Sequence, residues 1–203
     1  MPKVYSIDGL TPVVAPGAFV HPSAVLIGDV IVGARAYIGP AACLRGDFGR
    51  IVVEPGANIQ DTCMLHGFPG KDTVVGADAT IGHGAVLHGC VVKRGALIGM
   101  NCVVNDNAEV GEEAIVAALA FVKAEARIPP RSLAAGIPAR VLRELTAEEL
   151  GWKHDNMLLY QQLARRSLET MQEVEALTEP EPNRKRLHIP GSIPLSELKK
   201  RHG

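Results

Sequence analysis

Three histidines, each followed by glycine, fall within the stretch from Leu65 to Gly89, L-H-G-F-P-G-K-D-T-V-V-G-A-D-A-T-I-G-H-G-A-V-L-H-G. They are His66, His83 and His88, out of seven histidines in the chain. Neutral imidazole is a favoured zinc ligand, and three imidazoles with an open fourth position are one way to hold a catalytic metal. A water on such a metal ionises near neutral pH and becomes a nucleophile. Whether these three side chains can meet depends on the path of the chain.

That path follows a six-residue period. Val14, Val20, Leu26, Val32, Ile38 and Leu44 keep it first; Val53, Ile59 and Leu65 resume it after a slip, and Val75, Ile81 and Leu87 after an insertion. A last run takes Val92, Ile98, Val104, Val110, Val116, Val122 and Ile128. Most of these aliphatics are followed four residues later by alanine or cysteine, and many directly by glycine, as at Gly33, Gly76 and Gly99. No helix or ordinary strand keeps such a period. A short fixed repeat marks a solenoid, and hexapeptides mark a parallel β-helix. Each hexapeptide reads as a short strand plus a corner, with the aliphatic in the core and glycine or alanine where the chain turns. Three of them close one triangular coil, stacked on the next at about 4.8 Å. An antiparallel sandwich of short strands would not hold one phase across seven consecutive units. The period does not give the hand of the coil.

Phase then places the histidines. His66 follows Leu65 and His88 follows Leu87, so both occupy one hexad position. The interval between them is one coil plus the extra residues of a small loop at Gly67–Thr73. The two rings are expected one above the other on neighbouring coils of one face. His83 lies two residues past Ile81 on the preceding face and points away from that pair. A threefold assembly would bring it against the pair of a neighbour. His21, His154, His188 and His202 have no such company and read as ordinary.

The rest of the chain sets limits. Charge is nearly balanced, with 21 Lys and Arg against 22 Asp and Glu, so neither nucleic acid nor an anionic membrane is indicated as partner. The N-terminus lacks an apolar run of signal-peptide length and no later stretch could span a bilayer, which reads as a cytoplasmic protein. Cys43, Cys63, Cys90 and Cys102 form no C-x-x-C pair and read as inert packing residues. We divide the chain into an all-β helical domain at 1–135, a return segment and C-terminal α-helix at 136–178, and an extended tail at 179–203. Thr146 reads as the helix N-cap with Glu149 completing a capping box, and the helix is expected to run to about Leu177. Its apolar face is uneven: Leu150, Met157, Leu158, Leu163, Leu168 and Met171.

With R-G-D at Arg45–Asp47 and N-I-Q-D at Asn58–Asp61, the histidine set closely resembles the gamma-class carbonic anhydrase family, over residues 10 to 135 and on into the helix. The resemblance implies a left-handed β-helix and a homotrimer with metal sites across subunit interfaces. It implies that His66 and His88 of one subunit and His83 of the next bind zinc or another divalent metal such as iron or cobalt. It assigns Arg45 and Asp47 to the family's matched arginine and aspartate, Gln60 to the residue beside the metal water, and Asp61 to an interface aspartate. Two acidic proton-shuttling positions of the family are replaced here by Phe48 and the short G-F-P-G-K-D-T loop.

L-R-G-D-F-G-R-I-V-V, I-G-H-G-A-V-L-H-G-C and the tail P-N-R-K-R-L narrow the resemblance to the branch of PaaY-type and CaiE-type proteins. For the PaaY type it implies a thioesterase that frees coenzyme A from ring products of phenylacetate breakdown. A thiolate leaves without strong protonation, so missing proton shuttles weigh less on thioester hydrolysis than on carbon dioxide hydration. The expectation is a metal-dependent hydrolase of acyl-CoA, with Gln60 orienting the water, Arg45 and Asp47 shaping the site, and Tyr160 closing over it from the helix one turn beyond Asn156. The alternatives are a carbonic anhydrase, a hexapeptide acyltransferase and a non-catalytic trimeric metal-binding protein. Arg165 and Arg166 read as a solvated charged face, with coenzyme A phosphates as the sharper option.

Overall fold

The six-residue period closes into three columns of stacked aliphatics. In the computed structural model, which describes residues 2–189 and Glu197, each aliphatic of the series pairs with the one three hexads away. One column runs Leu26, Leu44, Leu65, Leu87, Val104 and Val122, in parallel register from coil to coil. A second runs Val14, Val32, Val53, Val75, Val92, Val110 and Ile128. A third runs Val20, Ile38, Ile59, Ile81, Ile98, Val116 and Ala134. Apart from Val14, which is exposed at the start of its column, they form one continuous core with the small residues of the corners. The result is a left-handed parallel β-helix of about seven turns followed by one helix.

Glycine and alanine bound many of the corners as expected, but glycine does not take the left-handed position at most of them. Most are tight turns whose closing N–H returns to the carbonyl three residues back, as from Ala36 to Gly33 and from Cys102 to Gly99. The left-handed residue of most corners is not glycine: Arg35, Thr62, Asn101 and Glu125 sit at φ between 55° and 62°. The glycine after the aliphatic has another cause. A Cβ at Gly76 would lie 2.6 Å from the backbone nitrogen of Arg94, and one at Gly99 would lie 2.4 Å from that of Ala118. Coils pass too close there for a side chain.

The slip and the insertion fall on the same corner. Strand Val25–Val32 pairs with strand Cys43–Val53, and the register jumps from Gly28↔Gly46 to Val30↔Ile51, so Asp47, Phe48 and Gly49 are the extra residues. On the next coil the loop after strand Met64–His66 turns at Pro69 and Gly70 before strand Thr73–Val75. The two excursions touch: a Cβ at Gly49 would lie 2.3 Å from the carbonyl oxygen of Lys71.

The return segment is a β-hairpin. Ser132–Gly136 adds to the third face and Ala139–Glu144 pairs back antiparallel, so the boundary at 135 falls inside a strand. The helix spans Ala147–Thr170 with Thr146 as N-cap and the capping box formed in both directions. It ends at Thr170, short of Leu177. Beyond it come Glu173 and Glu175, charges disfavoured at the negative end of a helix, and Val174 and Leu177 find no surface to cover them.

The buried face of the helix is also less apolar than expected: Glu149, Lys153, Met157, Ala164 and Ser167 are buried, while Leu158, Leu168 and Met171 are exposed. Glu149 is held by two 2.8 Å bonds from Arg143, and the Lys153 ammonium donates to Glu113 and to the Gly95 carbonyl. Further along, Gln161 donates to Asp78 at 2.9 Å, and Ala164, Tyr160 and Leu163 pack on Phe19 and Tyr37. Among the described residues no helix is long and apolar enough to cross a membrane. Residues 179–189 of the tail are exposed and lack regular structure.

The four cysteines are free, and burial raises each thiol, Cys63 to about 11 and Cys90 to about 12. These acids have folded values above their unfolded ones, so their contribution is intact below about pH 9 and is lost as pH rises through the folded values. Denaturant midpoints should hold up to pH 9 and fall above it, and Cys63→Ala/Cys90→Ala should flatten that fall. Leu87, fully buried, should cost about 2–5 kcal/mol as Leu87→Ala, whereas exposed Leu119→Ala should cost under about 0.5 kcal/mol.

Candidate metal centre

The predicted site residues gather at two corners of the coil. The first holds His66 and His88, in direct coil-to-coil register. Their facing nitrogens, His66 Nδ1 and His88 Nε2, lie 3.2 Å apart. Two ligand nitrogens at the usual distance from a tetrahedral zinc lie about 3.3 Å apart, and the separation of this pair matches that figure.

The far side of this pair is polar. Asp47 Oδ1 lies 3.0 Å from His66 Nε2, and Arg45 Nη2 lies 3.0 Å from the same nitrogen. Arg45 Nε is 3.4 Å from Asp47 Oδ2, ion-pair distance, yet it is buried and makes no hydrogen bond within the chain. His88 Nδ1 makes a short contact with Asp106 Oδ1. Two phenylalanines close the corner. The Phe48 ring lies 5.4 Å from that of His66, and Phe68 stacks on His88 at 6.2 Å and 22°. Gly89 makes room for Phe68, since a Cβ there would lie 2.6 Å from the ring. The backbone of His66 is pinned as well: its carbonyl accepts from Thr73 Oγ1 at 2.5 Å, and Thr73 Oγ1 accepts in turn from Gly89 N.

The second corner holds His83, Gln60, Asp61 and Tyr160. His83 Nδ1 lies 3.0 Å from Asp61 Oδ2, and the Tyr160 hydroxyl lies 3.4 Å from His83 Nε2. Burial first, then the Asp61 charge, pushes the Tyr160 phenol up to about 12, so it carries its proton at neutral pH. Its ring packs edge-on against Tyr37 at 5.5 Å. Gln60 is buried in a ladder of side-chain amides: it donates to Asn58 at 3.1 Å, Asn58 donates to Thr80 at 2.9 Å, and Gln60 Oε1 accepts from the His83 backbone at 3.2 Å. Within one chain Gln60 is therefore a brace for His83. Asn156 donates to the Trp152 carbonyl of its own helix turn.

Each of the three histidines thus has a carboxylate on one of its ring nitrogens: Asp47, Asp61 and Asp106. That is the usual outer partner of a metal-binding imidazole. Among the described residues no other histidine pairs with a carboxylate; His21 bonds Ser23 at 2.8 Å, His154 and His188 are exposed, and His202 lies outside the described residues. Within one chain, no group of three His, Cys, Asp or Glu among the described residues is placed to hold a metal. The three histidines therefore lie in two separate places, the stacked pair and His83.

Asp106 was missed by sequence reasoning. It stands two residues past Val104, the coil neighbour of Leu87, at an Asn-Asp-Asn corner. Its phase was readable, but a search led by histidines does not ask what stands one coil further on.

The chain is 58% identical over 183 residues to the carnitine operon protein CaiE of Salmonella typhimurium, covering 90% of this chain and 92% of that protein. It is 57% identical over 183 residues to CaiE of Citrobacter koseri, with coverages of 90% and 93%. Among solved structures it resembles a candidate acetyltransferase from Bacillus cereus, with TM-score 0.82 and 34% identity over 83% of this chain and 98% of that one. A hexapeptide transferase family protein from Anaplasma phagocytophilum follows at TM-score 0.78 and 36% identity, covering 80% and 96%. No family model matches the chain. These curated relatives are named for the carnitine operon, and PaaY is not among them. On the strength of the coil, the histidine column and these identities, the chain belongs to the CaiE family of hexapeptide-repeat proteins, within the gamma-class carbonic anhydrase-like superfamily.

Proposed function

We propose that the protein is a metal-dependent thioesterase acting on acyl-CoA in the cytoplasm, assembled as a homotrimer whose metal sites join the two half-sites across subunit interfaces. The observation that carries this reading is the facing pair of imidazole nitrogens at 3.2 Å, with a carboxylate behind each of the three histidines. His66 and His88 of one subunit and His83 of the next are the ligands. The metal, zinc or alternatively iron or cobalt, would supply a water that ionises near neutral pH and a Lewis acid for the thioester carbonyl.

The chain's residues have distinct tasks. Asp47, Asp61 and Asp106 orient the imidazoles, and Gln60 holds the His83 backbone in place. Phe48 and Phe68 flank the pair with apolar surface. Tyr160 keeps its proton at neutral pH and presents a hydroxyl beside His83. Arg45 supplies positive charge next to the pair. The phenylalanines favour a thioester over carbon dioxide hydration, because they stand where fast proton export would need carboxylates. Acyl transfer is a second reading, favoured by the likeness to the Bacillus cereus candidate acetyltransferase.

Free-thiol release from acetyl-, crotonyl- and phenylacetyl-CoA separates these readings, measured with metal-loaded and chelator-stripped protein, with and without amine and alcohol acceptors. Metal-dependent release without acceptor is expected; release only with acceptor would mean transfer, and none in either case would sink both. His83→Ala and His88→Ala should each lower hydrolysis at least about 100-fold. Unfolded together and refolded as a mixture, the two inactive variants should regain part of the activity, because some interfaces then pair an intact His83 with an intact His66–His88. No recovery would refute the shared site.

A further inference from the structure

We propose that Asp106 fixes His88 in its Nδ1–H form, and so makes the gap between His66 and His88 the receptor for a divalent cation. The inference rests on the metal-centre reading above and assigns the residue that prepares the site. A carboxylate oxygen only accepts, so the contact between Asp106 Oδ1 and His88 Nδ1 puts the ring proton on Nδ1. His88 Nε2 is then bare, and it points at His66 Nδ1 across 3.2 Å.

His66 is held differently. Its Nε2 stands 3.0 Å from Arg45 Nη2, which only donates, and 3.0 Å from Asp47 Oδ1, which only accepts. These partners require opposite forms of the ring, and each suits one state of the gap. With the gap empty, His66 Nδ1–H donates to His88 Nε2, while Nε2 accepts from Arg45. With a cation between the rings, Nδ1 must be bare and Nε2–H donates to Asp47. The ring loses one proton to solvent at Nδ1 and gains one at Nε2, with no net change. His66 is the movable end of the line Asp47–His66–His88–Asp106, and Asp106 anchors the other end. Asp106 is well placed to do so. It occupies the corner closed by the turn from Asn105 to Ala108, and its carbonyl accepts from Glu125 N at 2.8 Å. Asp106 is therefore a positioning residue that acts through His88.

The test uses the full chain, with zinc as probe. Long-range nitrogen–proton NMR correlations of the imidazoles in metal-free protein should show His88 and His66 both protonated at Nδ1, and zinc should move the His66 proton to Nε2. Asp106→Ala should weaken zinc binding about 10–100-fold in chelator competition. Asp106→Asn, which keeps an acceptor but can also present a donor, should show His88 divided between its two forms. Both variants should keep the thermal midpoint of the metal-free protein. Two outcomes overturn the inference: His88 protonated at Nε2 in the unsubstituted protein, or Asp106→Ala binding zinc as tightly. Failure of the unsubstituted protein to bind zinc would instead strike the metal reading of the preceding section, and the ring forms of the metal-free protein would still decide the role of Asp106.

Discussion

The hydrogen-bonded register between successive coils is the constraint on which everything else depends. Parallel pairing ties Leu65 to Leu87, and with them His66 to His88, so the separation of two side chains is set by a backbone ladder and not by a flexible loop. A solenoid also leaves the outward residue beside each buried aliphatic free to vary, because the stack is carried by the inward columns. The two histidines occupy such outward positions. The excursions at Asp47–Gly49 and Gly67–Asp72 add side chains around them without disturbing the columns, which resume phase at Val53 and Val75.

Much of this was legible in the sequence. The hexad period gave the coil, and the three columns follow from counting hexads in threes. The stacking of His66 on His88 followed from phase once the extra residues were assigned to a loop. What could not be read was decided by approach and partnership. The glycines after the aliphatics looked like turn residues, yet they answer to the neighbouring coil, while Arg35, Thr62 and Glu125 take the left-handed positions. The helix was expected to bury a leucine face. Instead it docks through Lys153 and Glu149, whose burial depends on Glu113, Gly95 and Arg143, groups distant in sequence or outside any helical pattern. Gln60 was identified for its position; what position alone could not give is that within one chain its amide donates to Asn58 and accepts from the His83 backbone.

The division of chemistry between two corners reflects the geometry of a triangle. Outward side chains on different faces of one coil diverge, so one chain can stack two imidazoles on a face but cannot bring in a third from the face before. The carboxylates follow the same logic. Asp47 and Asp106 come from the coil excursions and corners on either side of the stacked pair, and Asp61 belongs with His83. Each of the three histidines stands beside its own carboxylate.

The helix bears on how the molecule melts. An isolated solenoid behaves as a row of weakly coupled layers that can fray from either end. Here Lys153 is fastened to the layers carrying Gly95 and Glu113, Gln161 to those carrying Gly56 and Asp78, and Ala164 to those carrying Phe19 and Tyr37. The helix runs back along the stack and splices late layers to early ones. Loosening one end of the row therefore strips contacts from the other, and a one-dimensional array acquires the all-or-none cooperativity of a globular domain.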